Sequence, residues 1–218
     1  MKHEQVKKLT VLAMLCAVAY VIVALVRIPV VMFLKYEPKD VIIAFGGFLY
    51  GPLAALIVTT VVSFIEMLTV STTGWIGLIM NILSTAAFAC TAALVYRKNH
   101  TLSGAVIGLL LGSVAMTVVM LIWNYALTPL YMGMARADVA AMLVPVFLPF
   151  NLLKSGLNSA ITILLYRPLV QGLRHVGLFP QSSVGSKPAR TGKLWVWLGA
   201  AALLAVCILL LLHWNNIL

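Results

Sequence analysis

A chain of 218 residues that is 63% hydrophobic and only 9% charged cannot fold as a soluble domain, because so few polar side chains could not cover a globular surface. The net charge of +10 does not point to nucleic acid: most Lys and Arg sit in short gaps between apolar runs, where they orient membrane helices. Cys16, Cys90 and Cys207 lie inside apolar runs without paired spacing, so neither a disulfide framework nor a zinc site is expected.

A span of the hydrocarbon core needs about 20 apolar residues, fewer where a segment ends at a buried loop. Seven segments meet that requirement, approximately 9–27, 40–51, 53–70, 75–96, 102–127, 145–166 and 194–213. The fold class is therefore an all-α integral membrane protein. Lys7-Lys8 before a long apolar run resembles the start of a signal peptide, but no small-x-small site closes the run, so it reads as an anchored first helix. Gly51-Pro52 separates the short second helix from the third. With the N-terminus cytoplasmic, ten Lys and Arg fall inside against Arg27, Lys35, Lys39 and Arg136 outside, and the odd number of spans puts the C-terminus outside. The chain divides into a six-helix membrane domain (1–175), a basic cytoplasmic linker (176–193) and an additional C-terminal transmembrane helix (194–218).

Helix one carries Ala13 and Ala17 four apart, a shallow lane for another helix or for internal packing. Between the first two helices, apolar 29–34 followed by charged 35–40 makes either a cap over a pocket or a plain interfacial loop. The next helices carry polar stripes at helical spacing: Thr59, Ser63 and Glu66; then Asn81, Ser84, Thr85 and Thr91; then Thr117, Asn124 and Thr128. The sixth segment continues the pattern with Asn151, Lys154, Ser155, Asn158 and Thr162. Lys154 is the anomaly, since a Lys at mid-bilayer costs about 2.5 to 3.5 kcal/mol on insertion scales and usually faces a bundle interior. A Lys snorkelling near a helix end is the other reading. Unsatisfied polar groups in lipid are costly, so the four stripes are expected to converge on a polar cavity opening outward. Trp75, Trp123, Tyr125, Tyr131 and Phe150 gather toward the same side, either to stack on a planar ligand or as an interfacial aromatic belt. The seventh span has no polar stripe and reads as a lipid-facing anchor.

Several motifs in this order resemble the substrate-binding S components of energy-coupling factor (ECF) vitamin transporters, above all the riboflavin type. They are Ala13-x-x-x-Ala17, Tyr36-x-Pro38-x-Asp40, the run from Gly46 through Gly51-Pro52, Gly77-x-x-x-Asn81, Trp123-Asn124-Tyr125 with Pro129-x-Tyr131, and Pro149-Phe150-Asn151-Leu152-Leu153-Lys154. The resemblance spans roughly residues 5 to 175. It implies a six-helix subunit that captures a vitamin, riboflavin in the type it resembles, at its outer face and delivers it with a transmembrane coupling subunit and two cytoplasmic ATPases. The site it implies comprises Asn124, Asn151 and Lys154, joined by Asn81, Tyr36, Asn158 and Trp123, with Ala13 and Ala17 docking the coupling subunit and no cofactor beyond the transported ligand. Two departures stand out. Positions where riboflavin-type members often carry Glu and Lys in the third helix hold Thr59 and Val62, and the seventh span exceeds the six-helix pattern.

An Asn amide matches the alternating edge of a flavin, and a Lys ammonium can donate to its carbonyl or ring-nitrogen acceptors. Folates and other heteroaromatic vitamins offer similar edges. An intramembrane enzyme is the rival class, but there is no His-Glu-x-x-His motif, the four histidines lie outside the striped segments, and no phosphate-binding loop for ATP occurs.

Overall fold

The computed structural model describes residues 2–175 and 192–214. Eight α-helices and one small hairpin make up the described chain: α1 (Lys2–Leu25), β1 (Ile28–Val31), β2 (Leu34–Tyr36), α2 (Lys39–Tyr50), α3 (Pro52–Thr69), α4 (Gly74–Lys98), α5 (Leu102–Met132), α6 (Arg136–Met142), α7 (Leu148–His175) and α8 (Gly192–Trp214). Within α1, α3, α4, α5 and the combined stretch Arg136–Gly172, apolar runs are long enough to cross a membrane. Helix α2 has only 12 residues, yet most of it is buried among its neighbours.

Local chemistry sets the boundaries. Gly51 lies at φ 89°, a conformation that an L side chain resists, and Pro52 occupies the first turn of α3, where its missing N–H costs nothing. Thr101 caps α5 by accepting from the Gly104 amide at 3.1 Å. Helix α5 packs tightly on α4. A Cβ at Gly108 would lie 2.7 Å from the Ala92 carbonyl oxygen, and one at Gly112 2.5 Å from that of Phe88, so only glycine lets the backbones meet.

The structure departs from the expected elements in three places. The loop after α1 contains a two-stranded antiparallel hairpin, pairing Ile28 with Tyr36 and Val31 with Leu34, so the fold is not purely helical. Met32 turns it at φ 52°. Val30, Leu34 and Tyr36 point into a buried cluster with Val139, Phe147, Phe150, Leu153 and Leu157. Second, the sixth segment begins early: α6 and a π-helical turn, Leu143–Phe147, lead directly into α7. Pro145 and Pro149 have no N–H to donate there, and the wider turn accommodates that gap.

Third, α8 is not simply a lipid-facing anchor. Ala200 and Cys207 are buried, and Val196, Trp197 and Leu204 are half-buried, so one stripe of α8 packs against the body while the rest stays exposed. Residues 176–191, which hold most of the expected linker, lie outside the described residues.

Candidate functional site

Beneath the hairpin, the ends of α3, α4, α5 and α7 enclose a narrow cleft of about 40 Å³. Phe33, Leu34 and Lys35 roof it; Asn81, Ser84, Asn151 and Lys154 supply polar walls; Met80, Met120 and Phe150 supply apolar ones. A second, smaller chamber of about 10 Å³ adjoins it through Phe33, Thr73 and Met80 and runs to Trp123 and Tyr131. A larger crevice of about 540 Å³ opens at the opposite end of the bundle, around Lys8, Tyr50, Arg97 and His100, and holds none of the polar stripes.

The floor of the cleft is charged and self-compensated. Arg27, leaving α1, donates to Glu37 at 3.0 Å and to Glu66 at 2.5 Å, and it also reaches the Val70 carbonyl. Lys39 donates to Glu37 at 2.8 Å and also bonds Glu66, while Asn81 donates to Glu66 at 3.0 Å. Two cations and two carboxylates are thus interlocked, which satisfies the requirement that buried charge be paired and hydrogen-bonded. For Glu37, in the loop, burial alone would raise the carboxyl; Lys39, Lys154 and Arg27 overcome it and hold the group at about 2.

A second set is built on Asp40. Its carboxylate accepts from Thr85 at 2.7 Å and from Asn158 at 3.1 Å, and Lys154 Nζ lies 3.7 Å away. Tyr36 donates to the Asn158 carbonyl oxygen at 3.1 Å, and its own hydroxyl is held protonated by burial and by Asp40 nearby. At 3.7 Å, Lys154 and Asp40 attract as charges without a good hydrogen bond. The ammonium therefore keeps its donors while its charge is compensated, and the side chain is only 5% exposed, which rules out snorkelling.

Of the residues singled out from sequence, the cleft brings together Lys154, Asn151 and Asn81, and Trp123 lines the adjoining chamber. Asn151 donates to the Phe147 carbonyl at 2.8 Å. Asn124 lines neither chamber: it donates to the Met120 carbonyl and accepts from Thr128. Tyr36 and Asn158 also stand behind the wall, holding Asp40. Among the aromatics, Phe150 and Tyr131 face the chambers, whereas Trp75 and Tyr125 are exposed on the outside of the bundle. Each stripe sends some members to the cleft or its chamber, namely Glu66, Asn81, Ser84, Thr128, Asn151 and Lys154, whereas Thr117 and Thr162 donate to carbonyls one turn back and the buried hydroxyls of Thr59 and Ser63 meet no protein partner among the described residues. Thr59 and Val62 are buried away from the cleft. Ala13 and Ala17 lie exposed on α1, clear of the site.

Sequence reasoning missed Arg27, Glu37, Lys39 and Asp40 as parts of the site. The signal was present: an acid at Glu66 inside an apolar helix demands a cation, and Arg27 and Lys39 are near candidates in the outer loop.

A family model described as "ECF transporter, substrate-specific component" matches residues 7–166. The chain is 32% identical over 182 residues to the riboflavin transporter RibU of Staphylococcus aureus, covering 79% of this chain and 95% of that protein. It is 28% identical over 174 residues to the riboflavin transporter FmnP of Bacillus subtilis, covering 74% of this chain and 91% of that one. A solved structure of the S component of a bacterial ECF transporter superposes with a TM-score of 0.66 at 32% identity, covering 78% of this chain and 99% of the other.

Proposed function

Because this chain belongs to the family of ECF transporter substrate-specific components, which are transporter subunits and not enzymes, we propose that it is the vitamin-capturing membrane subunit of an ECF importer and that its ligand is riboflavin. The observation that carries this reading is the cleft under the hairpin, where one charge-compensated ammonium, two amides and a phenyl ring meet. At about 40 Å³ it lies well below the roughly 300 to 1,000 Å³ usual for small-molecule sites, so this reading requires the cleft to open around its ligand.

In this reading Lys154, Asn151 and Asn81 bond the heteroaromatic edge, Phe150 and Trp123 pack on the rings, and Tyr36 and Asn158 act behind them by fixing Asp40. Asn124 turns its amide from Met120 and Thr128 toward ligand in the second chamber. The hairpin is the lid, since Phe33, Leu34 and Lys35 roof the cleft and must lift for a tricyclic ligand to enter. Helices α1 to α5 and α7 form the six-helix bundle, with the hairpin outside and the N-terminus in the cytoplasm; α8 crosses as a seventh helix. Delivery requires a transmembrane coupling subunit, docked on α1 at Ala13 and Ala17, and two ATPase subunits.

Titration of the purified protein with riboflavin, read by quenching of flavin fluorescence, tests the substrate. Saturable quenching at stoichiometric protein is expected. Tight binding of a folate by calorimetry with no flavin response would keep the family and overturn the ligand.

A further inference from the structure

The family match ends at residue 166, before α8 begins, so α8 lies outside the matched stretch. Its packing is nevertheless specific. Buried or half-buried positions recur at Val196, Ala200, Leu204 and Cys207, a four-four-three spacing that sets them on one face of the helix. Helix α7 meets it with small residues: Gly156 is the point of closest approach, where an added Cβ would stand 3.2 Å from Cys207 Sγ, and Ala160 follows one turn on. Eleven residues further along α7, Arg167 stacks over the Trp197 ring at 5.5 Å. The two contacts pair higher numbers on α7 with lower numbers on α8, so the helices run antiparallel.

The upper half of α8 reaches the hairpin. Cys207 is buried in the same cluster as Val30, Leu34 and Tyr36, with Leu204 packed against it, whereas Ala200 and Val196 join the main core beside Ile163 and Val170. Tyr36 is the pivotal residue of that cluster. Its ring sits among these apolar groups and its hydroxyl holds Asn158, which holds Asp40, beside which Lys154 stands. A continuous line of contacts therefore runs from α8 through the hairpin's second strand to the ammonium in the cleft.

We propose that α8 is a brace on the hairpin and a positioning element for the ligand site: seated on α7 through Gly156 and Cys207, it holds Tyr36 in place and lengthens the stay of the bound ligand. The ligand part of this statement rests on the S-component reading above; the hairpin part does not. Helix α8 meets the hairpin along strand β1 and the buried side of the cluster that holds Tyr36. Its effect therefore falls on dissociation more than association, the usual division when a contact stabilises only the closed state.

The experiment uses the full chain with Cys16→Ser and Cys90→Ser as background. Gly156→Cys puts a thiol opposite native Cys207 at nearly the separation a disulfide requires, about 3 Å from one Cβ to the far sulfur. Oxidation is expected to protect both thiols from maleimide, to raise hydrogen-exchange protection of the hairpin amides, and to slow riboflavin dissociation about threefold or more, all reversed by reductant. Cys207→Trp, which wedges α8 away, is expected to do the opposite, with faster hairpin exchange and faster dissociation at nearly unchanged association. Failure of the crosslink, or hairpin exchange unchanged in both variants, overturns the brace. A parent protein that binds no riboflavin overturns the substrate assignment instead, while hairpin exchange still decides whether α8 braces the lid. Riboflavin dissociation altered less than about 1.5-fold in both variants overturns the positioning role even where the hairpin responds.

Discussion

Replacing Lys154 with Met separates the two things its ammonium does. Met keeps most of the stem volume and removes the charge and donors. Toward ligand, the loss is that of a hydrogen bond from a charged group, about 1.5 to 3 kcal/mol, or roughly 10- to 150-fold in Kd. Toward the protein, the loss falls on Asp40, whose carboxylate stands 3.7 Å from Nζ and is fully buried. Opposite charges about 4 Å apart attract by roughly 4 kcal/mol at an effective dielectric near 20, before desolvation is counted. Thr85 and Asn158 still donate to Asp40, so the net destabilisation should fall near the low end of the 3 to 5 kcal/mol typical of breaking a buried pair. The double variant Lys154→Met with Asp40→Asn restores neutrality and keeps an acceptor oxygen for Thr85. It is expected to recover most of the stability but none of the affinity. The assays are thermal unfolding in detergent and flavin titration on the same preparations. Unchanged affinity in the single variant would refute the ligand contact, and recovered affinity in the double would show that Lys154 acts only through Asp40.

Three further outcomes are expected. Glu66→Gln leaves Arg27 and Lys39 to share Glu37 and should destabilise the protein by about 3 to 5 kcal/mol, read as a lowered unfolding temperature; a change below about 1 kcal/mol would mean the network contributes little. Ala13→Leu with Ala17→Leu, on the exposed face of α1, should leave riboflavin affinity nearly intact while abolishing ATP-driven uptake and co-purification with the coupling subunit; normal uptake would remove this face as the docking surface. A reporter fused after Leu218 should be labelled from outside intact cells, because Lys187, Arg190 and Lys193 hold the start of the last span inside; cytoplasmic labelling would show that α8 does not cross.

What was legible in the sequence followed from contrast between polar and apolar residues. Polar groups spaced three and four apart in otherwise apolar runs stood out, so the stripes, their convergence and the burial of Lys154 could all be read. Where contrast is absent, reading failed. The docking stripe of α8 is Val196, Ala200, Leu204 and Cys207, residues as apolar as those facing lipid, so no hydropathy pattern tells a packed face from a lipid face. The hairpin was hidden by its shortness: strands of four and three residues, one containing Pro29, hold too few positions for a period of two to show. Trp75 and Tyr125 fell on the outer surface because an interfacial ring is stable facing either way, and only packing decides. Asp40, noted only as part of a motif, was not read as part of the site because its partners, Thr85 and Asn158, are far along the chain, and long-range pairing leaves no local periodicity.

The distribution of charge along the hairpin says how a lid here can move. Arg27 precedes the first strand and Glu37 follows the second, and the 3.0 Å bond between them ties the two ends together. Both ends are then fastened to the bundle through Glu66, so the foot is held by several charge-assisted bonds. The tip carries only Met32 and Phe33, and Phe33 meets Tyr131 edge-on at 5.7 Å and Phe147 at 6.4 Å, contacts worth about 0.5 to 1.5 kcal/mol each beyond their area. Strong bonds at the foot and weak ones at the tip make the foot the axis and the tip the part that swings. The weak contacts are also the ones a planar ligand in the cleft would replace with its own face, so in the proposed reading ligand would enter without breaking the ion network at the foot.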